Sequence, residues 1–255
     1  ISRLVIAADL GASHGRVAVT DLVAAPLATR EARIDIAAGP VPTLSWLVET
    51  IDDLLAEVGR NRQDVIAIGI GVPGPVEFST GRPANPPIMP GWDGFDVPSW
   101  LRQHIAAHVL LDNDVNIAAL GEREHGWPDV DHLLFVKVAT GIGSGIVSEG
   151  RLQRGAQGTA GDIGHVRVSR AGDVPCHCGN TGCLEAVASG PAIARALRAK
   201  GHDVHTGADV IDLVNRSDLD AIYAVRQAGR DIGEVLATCI SLINPSVIAL
   251  GGSIT

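Results

Sequence analysis

The densest chemistry in this sequence lies at residues 175–185, PCHCGNTGCLE, where Cys176, Cys178 and Cys183 are three of only four cysteines in 255 residues. Thiolates are soft ligands suited to zinc, and the turns available to Gly179 and Gly182 let neighbouring sulfurs converge on one ion. A closed tetrahedral site needs a fourth donor. His177 sits between two ligands, which disfavours it on geometry, and His165 in GDIGHVRV is the better choice. Three cysteines and one histidine leave no open position for a substrate, so the zinc is expected to be structural. The competing reading is thiols that hold no metal; catalytic thiol chemistry would need a paired base, and none is evident.

The Asn113–Asp114 pair in LDNDVN, taken alone, reads more readily as a turn or helix cap than as a chemical pair, since Asp114 opens a helical pattern. Three glycine turns punctuate the chain, in ADLGAS, ATGIGSG and LGGS. Each by itself is an ordinary hairpin.

The elements that must position these residues alternate between strand and helix patterns. Residues 3–21 read as strand, glycine turn and strand; 43–59 carry Leu44, Leu47, Ile51, Leu54 and Leu55 at helical spacing; 64–76 run from a buried strand into a Pro/Gly loop. The segment 79–96 is expected as loop, followed by a short helix near 97–107, the strand HVLLDND and a helix over about 115–124. From residue 131 a second strand–turn–strand follows, then the cysteine cluster, a short strand after His165, helices at 183–199, 208–215 and 218–242, and a closing strand in PSVIALGGS. The repeated hairpin predicts two related α/β halves, with domains at 1–115 and 116–255.

Composition excludes several functions. A net charge of −9, from 20 basic and 29 acidic residues, repels phosphodiester, and no basic block appears. No apolar run is long enough for a membrane span, no leader pattern opens the chain, and few clustered cysteines fit a reducing compartment, so a cytoplasmic location is expected. The chain starts at Ile1 with Met89 as its one methionine, and a trimmed product is the expectation.

The motif Cys-x-Cys-Gly-x-x-Gly-Cys-x-Glu, preceded by Gly-His, resembles the signature of the ROK family of repressors, uncharacterised frames and sugar kinases. GIGVPGPV, LDNDVNIAALGE, GTAGDIGH and VIALGGS extend the resemblance along the chain. It implies an α/β fold of the actin-like ATPase (ribonuclease H-like) class, with two α/β domains around a cleft, and a C-terminal part continuing beyond Thr255. It implies that Asp114 is the general base if the protein is a kinase, and that Gly74, Asn113, Asp114, Asp162, His165 and Glu185 contact sugar. His165 would use the ring nitrogen left free by zinc. Asp9, Gly11 and Ser13, with Thr140, Gly141 and Gly143, would be the two phosphate loops, and Gly251 and Gly252 a turn near adenosine; Mg-ATP is implied only for a kinase.

Departures from the kinase pattern set the functional expectation. Ala12, Ser13 and His14 stand where family kinases read Gly-Thr and often Lys or Asn, Ala139 replaces a common Gly, and Asp162 replaces a Glu. The altered phosphate loop favours a sugar-sensing domain of a transcriptional regulator, with a DNA-binding winged helix-turn-helix expected upstream. The alternative is an ATP-dependent hexose kinase. The family also implies a homodimer or homotetramer.

Overall fold

A computed structural model describes residues 3–254; Ile1 and Thr255, where the expectations about flanking segments attach, lie outside the described residues. The chain forms two compact units. The first is residues 1–117 together with Gly155–Thr159, and the second is Ala118–Arg154 with Ala160–Thr255.

In the first unit, strands β1 (Leu4–Leu10), β2 (Gly15–Thr20), β3 (Pro26–Ala32), β4 (Val65–Val72) and β7 (His108–Asn113) form one sheet in the order β3-β2-β1-β4-β7. β1, β4 and β7 run parallel, and β2 and β3 add antiparallel at one edge. Parallel neighbours require a crossover, which α1 (Pro40–Glu57) supplies between β3 and β4. Its Leu44, Leu47, Ile51, Leu54 and Leu55 are buried against Leu4, Ile6, Val17, Val19, Ile68 and Ile70 of the sheet. Each fully buried aliphatic side chain contributes about 1.5–3 kcal/mol, so this face dominates the unit's stability. Two two-residue strands pair here: β5 (Val76–Glu77), at the end of the Pro/Gly loop after β4, and β6 (Arg82–Pro83), inside the segment expected as loop. The short helix α2 is confined to Val97–Arg102.

In the second unit, β8 (Leu133–Val138), β9 (Ile142–Ser148), β10 (Arg151–Gln153) and β11 (Val247–Gly251) form a sheet in the order β10-β9-β8-β11, with β8 and β11 parallel. Four helices, α4 (Glu185–Ala188), α5 (Gly190–Arg198), α6 (Gly207–Asn215) and α7 (Leu219–Ile243), belong to this unit. Leu134, Val136, Val138, Ile193, Leu197, Val210, Ala228 and Val235 build its core. Asp218 caps α7 by accepting from the Ala221 N–H at 2.9 Å, and Asn244 closes it in the left-handed region. α3 (Asp114–His125) contains the unit boundary.

Three sequence expectations need correction. The helix expected over 183–199 breaks at Ser189, whose backbone is extended. Pro191 lacks an N–H and its ring would collide with the carbonyl four residues back, so a new helix starts there. The strand expected after His165 is a single bridge between Arg167 and Cys183. β3 is an unanticipated edge strand; its alternation is weak because most of its side chains are solvated.

The loop leading to the cysteine cluster is anchored to α7. Arg170 donates from Nε to Asp231 Oδ1 at 3.0 Å and from Nη2 to Oδ2, while Gln227 Nε2 donates to Oδ1 at 3.1 Å. The Asp231 side chain is 3% exposed. Arg170→Ala leaves this carboxylate with one neutral donor, and we expect a loss of about 3 kcal/mol in thermal or urea unfolding. Arg170→Ala/Asp231→Leu should recover most of it; a loss below about 1 kcal/mol in the single variant would show that the pair is not structural.

Candidate functional site

The first unit presents two groups. At the turn from β1 to β2, the Gly11 N–H donates to the His14 carbonyl at 2.9 Å. The His14 imidazole returns across the turn, with Nε2 3.3 Å from Asp9 Oδ2. A Cβ placed on Gly11 would lie 2.1 Å from His14 Cε1 and 2.5 Å from its Nδ1, so the ring sits on the glycine's bare face. Ser13 is exposed beside it.

The second group lies where β4 and β7 end. Asn113 Nδ2 donates to the Gly74 carbonyl at 2.9 Å, and Asn113 Oδ1 accepts from the Val115 N–H at 2.9 Å and the Asn116 N–H at 3.3 Å. Asn113 therefore caps α3 while holding the Gly74 loop, and Asp114 is the first helical residue, half-buried. Gly71 on β4 lets the start of α3 approach closely, since a Cβ there would be 3.3 Å from the Asp114 Cα. Sequence reasoning missed Asp112, which is 4% exposed. Its Oδ1 accepts from the Asn113 N–H at 2.8 Å and from Asn116 Nδ2 at 2.9 Å, a buried pair beneath the site. The signal was available: a carboxylate closing an apolar strand needs partners, and Asn116 lies one helical turn away.

In the second unit, Thr140, Gly141 and Gly143 lie at the β8–β9 turn, with Gly143 already paired to Lys137 in the ladder. Glu185, the first residue of α4, accepts from the Ile142 N–H at 3.0 Å through Oε2. A Cβ on Gly141 would fall 2.8 Å from that oxygen, and the Gly190 N–H donates to the Ala139 carbonyl at 2.9 Å. The turn is thus held by the segment that follows the cysteines. Gly252, at φ +115°, lies against the Val138 carbonyl, where a Cβ would come within 2.2 Å of the oxygen. The structure therefore joins Gly251–Gly252 to the strand that leads into the Thr140 turn.

His165 ends a 3-10 turn, Ile163–His165. Gly161 and Gly164 press this turn onto β9; a Cβ on either would lie 2.1 Å from a β9 carbonyl oxygen, that of Ser144 or Ile142 respectively. His165 Nδ1 is 3.6 Å from Cys176 Sγ, and its Nε2 is 3.8 Å from Asp162 Oδ1. Partial burial pushes the Asp162 pKa up, against the pull of His165.

The cysteine segment is a small hairpin closed by the Pro175–Thr181 bridge, with Gly179 at φ +90° and Gly182 at φ +78°. Cys178 Sγ and Cys183 Sγ are 3.7 Å apart, and the donor atoms of His165, Cys176, Cys178 and Cys183 all lie within 4.8 Å of one another. A tetrahedral zinc with Zn–S near 2.3 Å and Zn–N near 2.05 Å requires S···S of about 3.8 Å and N···S of about 3.6 Å. The observed 3.7 and 3.6 Å separations fit that geometry. The bare thiols are mismatched: burial and the neighbouring sulfurs push Cys183 up to about 12. Burial also raises Cys178, but hydrogen bonds from Asn180 and the other thiols bring it below its ordinary value. The cluster can hold a metal ion, and exposed His177 is not part of it.

The parallel-plus-antiparallel sheets and paired glycine hairpins are those of the actin-like ATPase fold, the fold of the sugar kinases and regulators on which this chain superposes. The sequence profile of the ROK family matches residues 5–255, and the chain belongs to that family. A glucokinase of Halalkalibacterium halodurans is 35% identical over 224 residues, covering 82% of this chain and 68% of the glucokinase. A xylose repressor of Caldicellulosiruptor bescii is 27% identical over 261 residues, covering 97% of this chain and 65% of the repressor. The crystal structure of a ROK family transcriptional regulator, a homologue of the E. coli MLC protein, superposes with a TM-score of 0.86 at 26% identity, over 100% of this chain and 66% of that one. The relatives thus include both kinases and repressors, and the chain spans about two thirds of their length. No helix among the described residues is long and apolar enough to cross a membrane.

Proposed function

We propose that this chain is the sugar-binding, effector-responsive part of a cytoplasmic ROK transcriptional regulator. The observation that carries the sugar reading is the two-sided placement of His165. Its Nδ1 faces the sulfurs and its Nε2 faces Asp162, so a metal on one nitrogen fixes the tautomer and aims the other at a ligand. Zinc, when bound, supplies orientation and rigidity there and no open coordination position. The chain's own groups would do the recognition: Asp114 and Asp162 accept from sugar hydroxyls, His165 donates from Nε2 when Nδ1 holds the metal, and Glu185 offers Oε1 while Ile142 holds Oε2. Asn113 keeps one amide hydrogen for sugar and uses the other to fix the Gly74 loop.

The preference for a regulator over a kinase rests on the first glycine hairpin. Asp9, which would orient hydrated magnesium, is engaged by His14, and Ala12 puts a methyl group where a phosphate would meet backbone. The net charge of −9 makes this chain a poor surface for DNA, so operator contact would fall to residues outside it. The kinase reading keeps one specific support, the retention of Asp9, Asp114 and Thr140 in a chain 35% identical to a glucokinase.

A coupled ADP-release assay with a panel of hexoses separates the two. The expected result is sugar binding by calorimetry with no turnover. Turnover above about 1 per second that Asp114→Asn abolishes would establish the kinase.

A further inference from the structure

We infer that His14 is the residue that closes the first glycine hairpin to phosphate. This rests on the regulator reading above and singles out, beside the Ala12 methyl group, the side chain that most fills the turn. A glycine turn takes a phosphate because the absent side chain leaves room for oxygen to reach backbone N–H groups. Here that room is filled. Three ring atoms of His14, Cε1, Nδ1 and Nε2, come within 2.1, 2.5 and 2.7 Å of where a Gly11 Cβ would stand. The imidazole acts as the side chain that Gly11 lacks.

The second effect is electrostatic. Asp9 is the carboxylate whose charge a hydrated magnesium would offset when a nucleotide binds. At 3.3 Å from His14 Nε2, Asp9 Oδ2 already has a hydrogen-bonding partner, so the ring competes with the ion for that oxygen. Without the ion, an incoming phosphate meets an uncompensated anion. The two obstacles share one origin, and both vanish when the ring is removed. The His14 and Asp9 side chains are 44% and 49% exposed, so removal leaves no buried void and the hairpin should keep its backbone bond from Gly11 to the residue 14 carbonyl. A shorter polar side chain at this position would leave Gly11 uncovered, which makes residue 14 a selector between a phosphate loop and a filled turn.

The test titrates 15N-labelled chain with Mg-ADP, following the Gly11 and Ser13 amide resonances in wild type, His14→Ala and His14→Asn. We expect no saturable shift in wild type up to about 10 mM, and saturable shifts in both variants with affinity at least tenfold tighter. Sugar affinity, measured alongside, should be unchanged and certifies the fold. Equal responses in wild type and variants, whether bound or unbound, overturn the inference. Weaker binding in the variants also overturns it, since His14 would then be a phosphate ligand. Hexose turnover by wild type defeats the regulator reading separately, and the amide titration still decides the role of His14.

Discussion

Cys178→Ser is expected to abolish metal binding and weaken sugar affinity at least tenfold, although no sulfur need touch sugar. Serine replaces a soft thiolate by a neutral hydroxyl, and three remaining donors cannot close a tetrahedral structural site. Losing the metal leaves three groups packed within 4.8 Å of one another with no ion between them, one of them the Cys183 thiol, whose pKa burial pushes up. The hairpin 175–181 then lacks its cross-link, and His165 loses the constraint on its ring. Metal content by mass spectrometry should fall from about one equivalent to below one tenth, and thermal stability by about 3 kcal/mol, or roughly 6–12 °C. Loss of metal with sugar affinity intact would break the proposed link between knuckle and pocket. Full metal occupancy in the variant would show that the ligand set is wrong.

Asp114→Asn is expected to weaken sugar binding by about 10- to 100-fold in calorimetry while leaving unfolding within about 0.5 kcal/mol of wild type. Removing a charged acceptor from a ligand hydroxyl costs about 1.5–3 kcal/mol, and Asn is isosteric with Asp. The first turn of α3 tolerates the change because its cap is Asn113, whose Oδ1 holds the Val115 and Asn116 N–H groups. The informative contrast is Asn113→Ala, which should cost both sugar affinity and stability, because it removes that cap and releases Gly74. If Asp114→Asn binds sugar as wild type does, Asp114 is not a sugar ligand.

Much of this architecture was legible because its signals are local. The helix over α1 follows from leucine spacing, the cysteine knuckle from soft ligands separated by glycines, and the paired hairpins from apolar runs broken by glycine. His165 could be chosen over His177 by asking which histidine was free to turn toward three sulfurs. What escaped depends on neighbours distant in sequence. Glu185 finds the Ile142 N–H across 43 positions, and nothing in either segment's periodicity announces that bond. The break at Ser189 was readable from Pro191 and was overridden by the apolar pattern on either side. Asp112 looks like the end of a strand until Asn116 is seen to satisfy it. His14 was visible as a departure from a motif, but its fold-back onto Gly11 required coordinates.

The return of Gly155–Thr159 to the first unit bears on the order in which the protein is made. These residues are synthesised after β8 and β9 of the second unit, yet Gly158 seats against the Val76 carbonyl so closely that a Cβ would lie 2.2 Å from the oxygen. An emerging chain that has released only residues 1–117 therefore cannot finish its first unit. Its contact between Gly158 and the Val76 carbonyl waits until part of its successor has been translated. The last packing contact of the first unit, Gly158 on Val76, therefore forms late in synthesis. Ribosome-stalled chains arrested before and after Thr159 should differ in protease resistance of the first unit.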